Sequence, residues 1–167
     1  FLKADAARRD ALRKRYTAQR PGAPLIGLSW SSRQNAEYGW LKSVALADWA
    51  PILRIPGAAF VNLQYGDWAS TLADIRTQAG VDILDDPDVD PLKDMDAFAA
   101  QVAAMDLVIS VSNTTAHVAG ALGVPAWVML PEGRGRLWYW FHDRSDSPWY
   151  SSVRLVERDG GGTKDSG

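Results

Sequence analysis

The chain has 167 residues, 47% of them hydrophobic and 23% charged, with a formal net charge of -2 and no cysteine. These values suit one globular domain with a sizeable core. They exclude disulfides and thiolate metal sites, and they give no electrostatic basis for binding nucleic acid or an anionic membrane.

No apolar run approaches the roughly 20 residues of a transmembrane helix. The charged start shows no secretory signal, so a cytoplasmic location is expected. The eight Trp fall near predicted loops and element ends rather than on one periodic face.

In chain order, residues 5–17 read as an amphipathic helix, with Leu12 and Tyr16 at helical spacing. Arg8, Arg9, Arg13, Lys14 and Arg15 form a basic cluster on it, read as a solvated face. Pro21 and Pro24 break the helix. Residues 25–30 form the first strand, in which Gly27 suggests close approach of another backbone. A polar loop over residues 31–38 follows. Ser29, Ser31, Ser32, Arg33 and Lys42 thus surround the exit of a predicted parallel strand, where cations and hydroxyls can neutralise phosphate oxygens. The same residues equally make an ordinary hydrophilic loop. Residues 44–53 read as a helix.

Residues 58–63 form a second strand, 64–67 a turn, 68–79 a helix, and 81–84 a short third strand. Asp85-Asp-Pro-Asp-Val-Asp90 contains Asp-x-Asp spacing twice, at Asp86/Asp88 and Asp88/Asp90. Such pairs can hold a divalent ion, but a Pro-containing acidic loop more often faces solvent. Asp94 or Asp96 can cap a helix running to about Met105.

Residues 107–131 organise the rest. Residues 107–111 are a β-branched run of strand length, 112–115 a block of capping side chains, 116–122 a small-residue helix stopped by Gly123 and Pro125, and 126–130 another strand. A helix starting straight after a buried strand presents N–H groups and a positive dipole end at the sheet's carboxyl edge, a geometry that binds phosphate. Ser112, Asn113, Thr114 and Thr115 can equally do no more than cap the helix, and His117 can be a structural histidine.

Residues 131–136 form a basic, Gly-containing loop, and 137–141 an aromatic cluster that could stack on a base or sugar ring or pack on a neighbour. Residues 146–150 are a turn, and 153–156 a final edge strand. The Gly-rich stretch to residue 167 reads as a disordered tail. The alternation implies an α/β, doubly wound and mostly parallel sheet of about six strands, with a ligand outside the carboxyl ends. The first strand is followed by Ser-Trp-Ser-Ser rather than Gly-x-Gly-x-x-Gly, against a dinucleotide oxidoreductase. No Gly-x-Ser-x-Gly elbow supports a hydrolase.

The run from Asp106 to Pro131 resembles the carboxyl-terminal half of heptosyltransferase-like glycosyltransferases, above all the subgroup fused to tetratricopeptide repeats and similar to O-linked N-acetylglucosamine transferases. Gly27-Leu-Ser-Trp30, Lys42-Ser43, Phe60-Val-Asn-Leu-Gln-Tyr-Gly-Asp67, and Asp146-Ser-Pro-Trp-Tyr150 with Arg154-Leu155 match in order. The resemblance implies a Rossmann-like half of a GT-B fold that binds the nucleotide-sugar donor. It would place Asn113, Thr114, Thr115 and His117 at the donor diphosphate, Ser31, Ser32 and Lys42 across from them, and Gln64 and Tyr65 along the cleft. Many relatives carry Asp where this chain has Ser112, so a negative charge near the proposed site is absent. The resemblance also implies no metal requirement, a nucleotide-diphosphate sugar as partner, and an acceptor domain preceding this chain, with tetratricopeptide repeats possible. Residues 1–20 would then be a connector helix, 21–157 the donor-binding domain and 158–167 the tail. A non-catalytic nucleotide-binding or interaction module with a degenerate site is the alternative. No catalytic residue is assigned.

Overall fold

The computed structural model describes residues 2–32, 39–131 and 135–157. The expectations for Arg33, for most of the loop at 131–136 and for the tail at 158–167 lie outside these residues. Five strands are formed: β1 (Leu25–Ser29), β2 (Ala59–Asn62), β3 (Leu107–Val111), β4 (Ala126–Leu130) and β5 (Val153–Glu157). They pair in the order β2-β1-β3-β4-β5, and each pair is parallel. Parallel strands are covered on both faces, which is why they read as near-continuous apolar runs. The chain moves outward from β1 to β2, then returns past β1 to β3. Strand order therefore reverses between β1 and β3, the point where open α/β sheets leave a crevice at their carboxyl edge.

Helices line both faces. On one, α1 (Ala6–Gln19), α5 (Met95–Ala103) and α6 (Thr114–Leu122) bury Leu12, Tyr16, Phe98, Val102 and Ala119 against Val61, Val108 and Val128. On the other, a 3-10 turn at Leu46–Trp49, α3 (Ala50–Leu53) and α4 (Ala69–Ala79) bury Trp49, Leu53 and Ile75 against Leu28, Phe60 and Ile109. A short helix, α2 (Gly39–Lys42), precedes them at the carboxyl edge. Among the described residues, no helix is long and apolar enough to cross a membrane.

Four expectations need correction. Among the described residues the sheet has five strands rather than about six. Residues 81–84 supply one parallel bridge, Leu84 to Val61, with two 2.8 Å bonds to Phe60 and Asn62. The acidic turn that follows contains Pro87, which has no N–H to extend the ladder. The single helix expected over residues 44–53 is a 3-10 turn running into α3, and Pro51 near the start of α3 removes the donor a continuous helix would need. The close approach at Gly27 is made by side chains: a Cβ there would overlap Leu63 and press on Met105.

Finally, the basic face of α1 is engaged with the domain rather than simply solvated. Arg8 pairs with Asp94 at 3.1 Å, Arg13 with Asp106 at 2.8 Å, and Arg15 with both Asp86 and Asp88. Tyr16 Oη donates to the nearly buried Asp86 at 2.6 Å. The exposed pairs contribute little each. The burial of Leu12 and Tyr16 holds the helix down.

Candidate functional site

The switch point between β1 and β3 is filled by a buried hydrogen-bond network. Asn113 caps α6 by accepting from the Thr115 N–H at 3.0 Å. The same oxygen accepts from Ser110 Oγ at 2.9 Å. Its Nδ2 donates to Ser29 Oγ at 2.8 Å and to the Ser31 carbonyl at 3.1 Å. Thr115 Oγ1 adds a 3.2 Å bond to Ser29. Gln64, at the end of β2, holds the other side. Its Oε1 accepts from Ser29 Oγ at 3.1 Å and from the backbone N–H groups of Trp30 and Ser31 at 3.0 and 2.8 Å. Ser29, Gln64, Ser110, Asn113 and Thr115 are all at most 9% exposed. Burial is tolerated because each is bonded.

Of the sequence-derived candidates, Gln64, Asn113 and Thr115 are therefore brought together, with side chains engaged in positioning the edge. Ser110 was missed. A serine inside an apolar strand gives no sequence signal of what it faces.

Ser32, Tyr65, Asn113, Thr114 and Thr115 line one cavity of about 310 Å³ in front of the α6 N-terminus. Pro91, Leu92, Met95 and Phe98 form its apolar wall. Thr114 is exposed to it. The first-turn N–H groups of a nine-residue helix make this mouth electropositive. A second cavity of about 330 Å³ shares Tyr65, Pro91, Leu92 and Phe98 with it and carries Asp67, Asp85, Asp86 and Asp90. Those carboxylates make it unsuitable for a phosphate.

Lys42 does not line the first cavity. It ends α2, which is tied to the loop after β1. Ser43 Oγ accepts from the Ser32 N–H at 2.9 Å and lies 3.4 Å from Ser31 Oγ. Lys42 is only 7% exposed. Burial lowers its ammonium pKa, and no carboxylate among the described residues counters that shift.

His117 stands apart from the cavity as well. Its ring stacks on Trp140, with centroids 5.0 Å apart. Nδ1 lies 3.2 Å from Tyr150 Oη and Nε2 3.4 Å from Tyr139 Oη. Burial pushes its pKa down. The aromatic cluster expected over residues 137–141 thus divides. Trp140 is fully buried on His117, whereas Trp138 is 77% exposed. Gly120 makes the cage possible, since a Cβ there would overlap the Tyr150 side chain. Ser112, where the resemblance implies Asp, accepts the Trp140 indole N–H at 2.8 Å.

Among the described residues, no group of three or more His, Cys, Asp or Glu side chains is arranged to hold a metal. Asp86 and Asp88, the pair considered for one, are bound to Arg15.

No family model matches the chain. It is 38% identical to Protein FlbA of Caulobacter vibrioides, over 92% of this chain and 25% of that protein. Among solved structures it resembles the glycosyl transferase family 9 protein of Veillonella parvula, with a TM-score of 0.67 and 14% identity, over 93% of this chain and 42% of that one. It also resembles the E. coli ADP-heptose lps heptosyltransferase II, with a TM-score of 0.62 and 15% identity, over 93% and 44%. The chain thus spans about a quarter of its curated relative and less than half of each structural neighbour. At these identities the likeness is one of fold. The chain has the Rossmann-like α/β architecture of one half of a glycosyltransferase of that kind.

Proposed function

We propose that this chain binds the diphosphate of a nucleotide-sugar donor for glycosyl transfer, at the crevice between the β1 and β3 loops. The observation that carries the reading is Lys42. It is a nearly buried ammonium with no counter-ion among the described residues, beside the loop that the Gln64–Ser29–Asn113 network fixes against the α6 N-terminus. A buried charge without a partner is costly, and a diphosphate would supply the partner.

The chemistry follows from that arrangement. When the glycosidic bond breaks, negative charge grows on the departing diphosphate. Helix N–H groups and an ammonium held in place beforehand stabilise that charge without reorganising. They can do so without a metal. The acceptor and a base would come from another part of a longer protein, as this chain corresponds to less than half of each glycosyltransferase neighbour.

Calorimetric titration with UDP, GDP, ADP and CMP, with and without magnesium, tests the reading. Saturable, metal-independent binding of one nucleotide is expected, at least tenfold weaker in Lys42→Met. Such a loss corresponds to about 1.4 kcal/mol. A folded chain that binds none of them, or binds only with magnesium, overturns it.

A further inference from the structure

Arg136 belongs to none of the networks above. It follows β4 and reaches across to the last residue of β5, Glu157, pairing through Nη1 alone. Its side chain is 4% exposed. Nε and Nη2 are both buried and have no hydrogen-bond partner among the described residues. These two nitrogens form one edge of the guanidinium plane, the edge whose parallel N–H bonds match two oxygens of a carboxylate or phosphate.

An arginine placed only to pair with Glu157 would gain nothing from holding that edge dry. Leaving two charged donors without acceptors costs more than a surface ion pair returns. The position is also telling. Gly135 packs so closely on α2 that a Cβ there would lie 3.1 Å from Leu41 Cβ. The segment carrying Arg136 therefore adjoins the one carrying Lys42. Further along the first segment, Trp140 is bonded to Ser112 at the β3–α6 turn.

We propose that the Nε–Nη2 edge of Arg136 grips two oxygens of an anionic group of the donor. This rests on the donor reading and extends it to a residue that determines specificity. The shared chemistry is a two-oxygen anion, and it has two possible sources: the second phosphate, or a carboxylate on the sugar. Because the edge is buried, the ligand has to displace the described residues that cover it. Arg136 keeps its charge balanced by Glu157 until then.

The test uses probes without a base: inorganic phosphate, pyrophosphate, glucose 1-phosphate and glucuronate 1-phosphate. Each is titrated into the wild-type chain, Arg136→Met and Arg136→Lys, with affinity taken from the shift in melting temperature. If the second phosphate is the group, both variants bind pyrophosphate at least tenfold more weakly and inorganic phosphate unchanged. If a carboxylate is the group, the tenfold loss falls on glucuronate 1-phosphate and spares glucose 1-phosphate. Arg136→Lys keeps the charge but loses the paired donors, so wild-type affinity in that variant overturns the two-oxygen grip.

Stability without ligand provides a second readout. Met at this position removes unbonded buried donors, so the melting temperature is expected to hold or rise. A clear fall would assign Arg136 to a structural ion pair and overturn the proposal. If nucleotides bind the wild-type chain and both variants equally, the Arg136 inference fails and the donor reading stands. If no nucleotide binds the wild-type chain, the donor reading itself fails.

Discussion

The indole Nε1 of Trp140 donates to Ser112 Oγ at 2.8 Å, joining two buried residues 28 positions apart. This bond fixes the 3-10 turn at Trp138–Trp140 over the start of α6 and lays the Trp140 ring on His117. In Ser112→Ala the indole N–H loses its acceptor while remaining buried. The expected cost is about 1–3 kcal/mol, seen as a lower urea midpoint with an unchanged slope. A variant as stable as the wild type would show that the bond does not hold the turn.

Gly120 faces the ring of Tyr150. Gly120→Ala would drive a methyl group into the Cβ, Cγ and Cδ2 of Tyr150, atoms too near its backbone to swing aside. The substitution raises helix propensity, which favours the variant by up to about 1 kcal/mol. Overpacking costs about 1–3 kcal/mol and is expected to win. The predicted result is a net loss of stability on urea unfolding, together with a changed His117 imidazole resonance as the Tyr150 hydroxyl withdraws. A stabilised variant with an unaltered His117 signal would refute this account of the cage.

His117 makes stability depend on pH. Burial lowers its folded pKa below the ordinary value of 6.5. The unfolded chain therefore binds the proton more readily, and stability rises with pH. The contribution is complete above about pH 6.5 and is lost as pH falls from there through the lowered folded value. Urea midpoints should drop between about pH 8 and pH 5.5, and His117→Gln should flatten much of that drop. The lowered carboxyl groups of Asp90, Asp94 and Asp146 act below the ordinary carboxylate range and lie outside this window. An equal drop in the variant would assign the dependence to other groups.

Gln64 Oε1 is the acceptor for three donors at the β1 exit. Gln64→Leu keeps the size but leaves the Trp30 and Ser31 N–H groups and the Ser29 hydroxyl without it. A loss of about 2–4 kcal/mol is expected if one or two of the three remain unsatisfied. Nucleotide binding should fall with it, because the loop carrying Ser31 and Ser32 is released. Gln64→Glu keeps an acceptor and should recover part of the stability. Wild-type stability in Gln64→Leu would show that the network is not holding the edge.

Much of this architecture was legible in the chain. Runs such as Leu107–Val111 and Ala126–Leu130 read as buried parallel strands because both faces are covered. The block 112–115 and Gly123 read as the two ends of α6, and the structure picks Asn113 from that block as the cap, bonded to Thr115, with Gly123 at φ 75°. Caps and strands are local, so their signals lie within a few residues. Residues 81–84 misled for the same reason. Four residues of suitable composition look like a strand, but the pairing that makes one was a single bridge at the sheet edge.

The sequence by itself determined most of the element types, the parallel sheet and the edge on which the polar residues gather. Backbone propensity, capping and apolar periodicity act at short range and need no knowledge of neighbours. Only the tertiary structure decided the partners. It put the aromatic segment on His117, closed Asn113 onto Ser29 across 84 positions, and left Lys42 without a carboxylate among the described residues. It also turned Arg136 so that one nitrogen met Glu157 and two met no acceptor among the described residues. Hydrogen bonding and charge depend on which atoms come within about 3 Å after the chain has folded, and spacing along the sequence does not encode that distance.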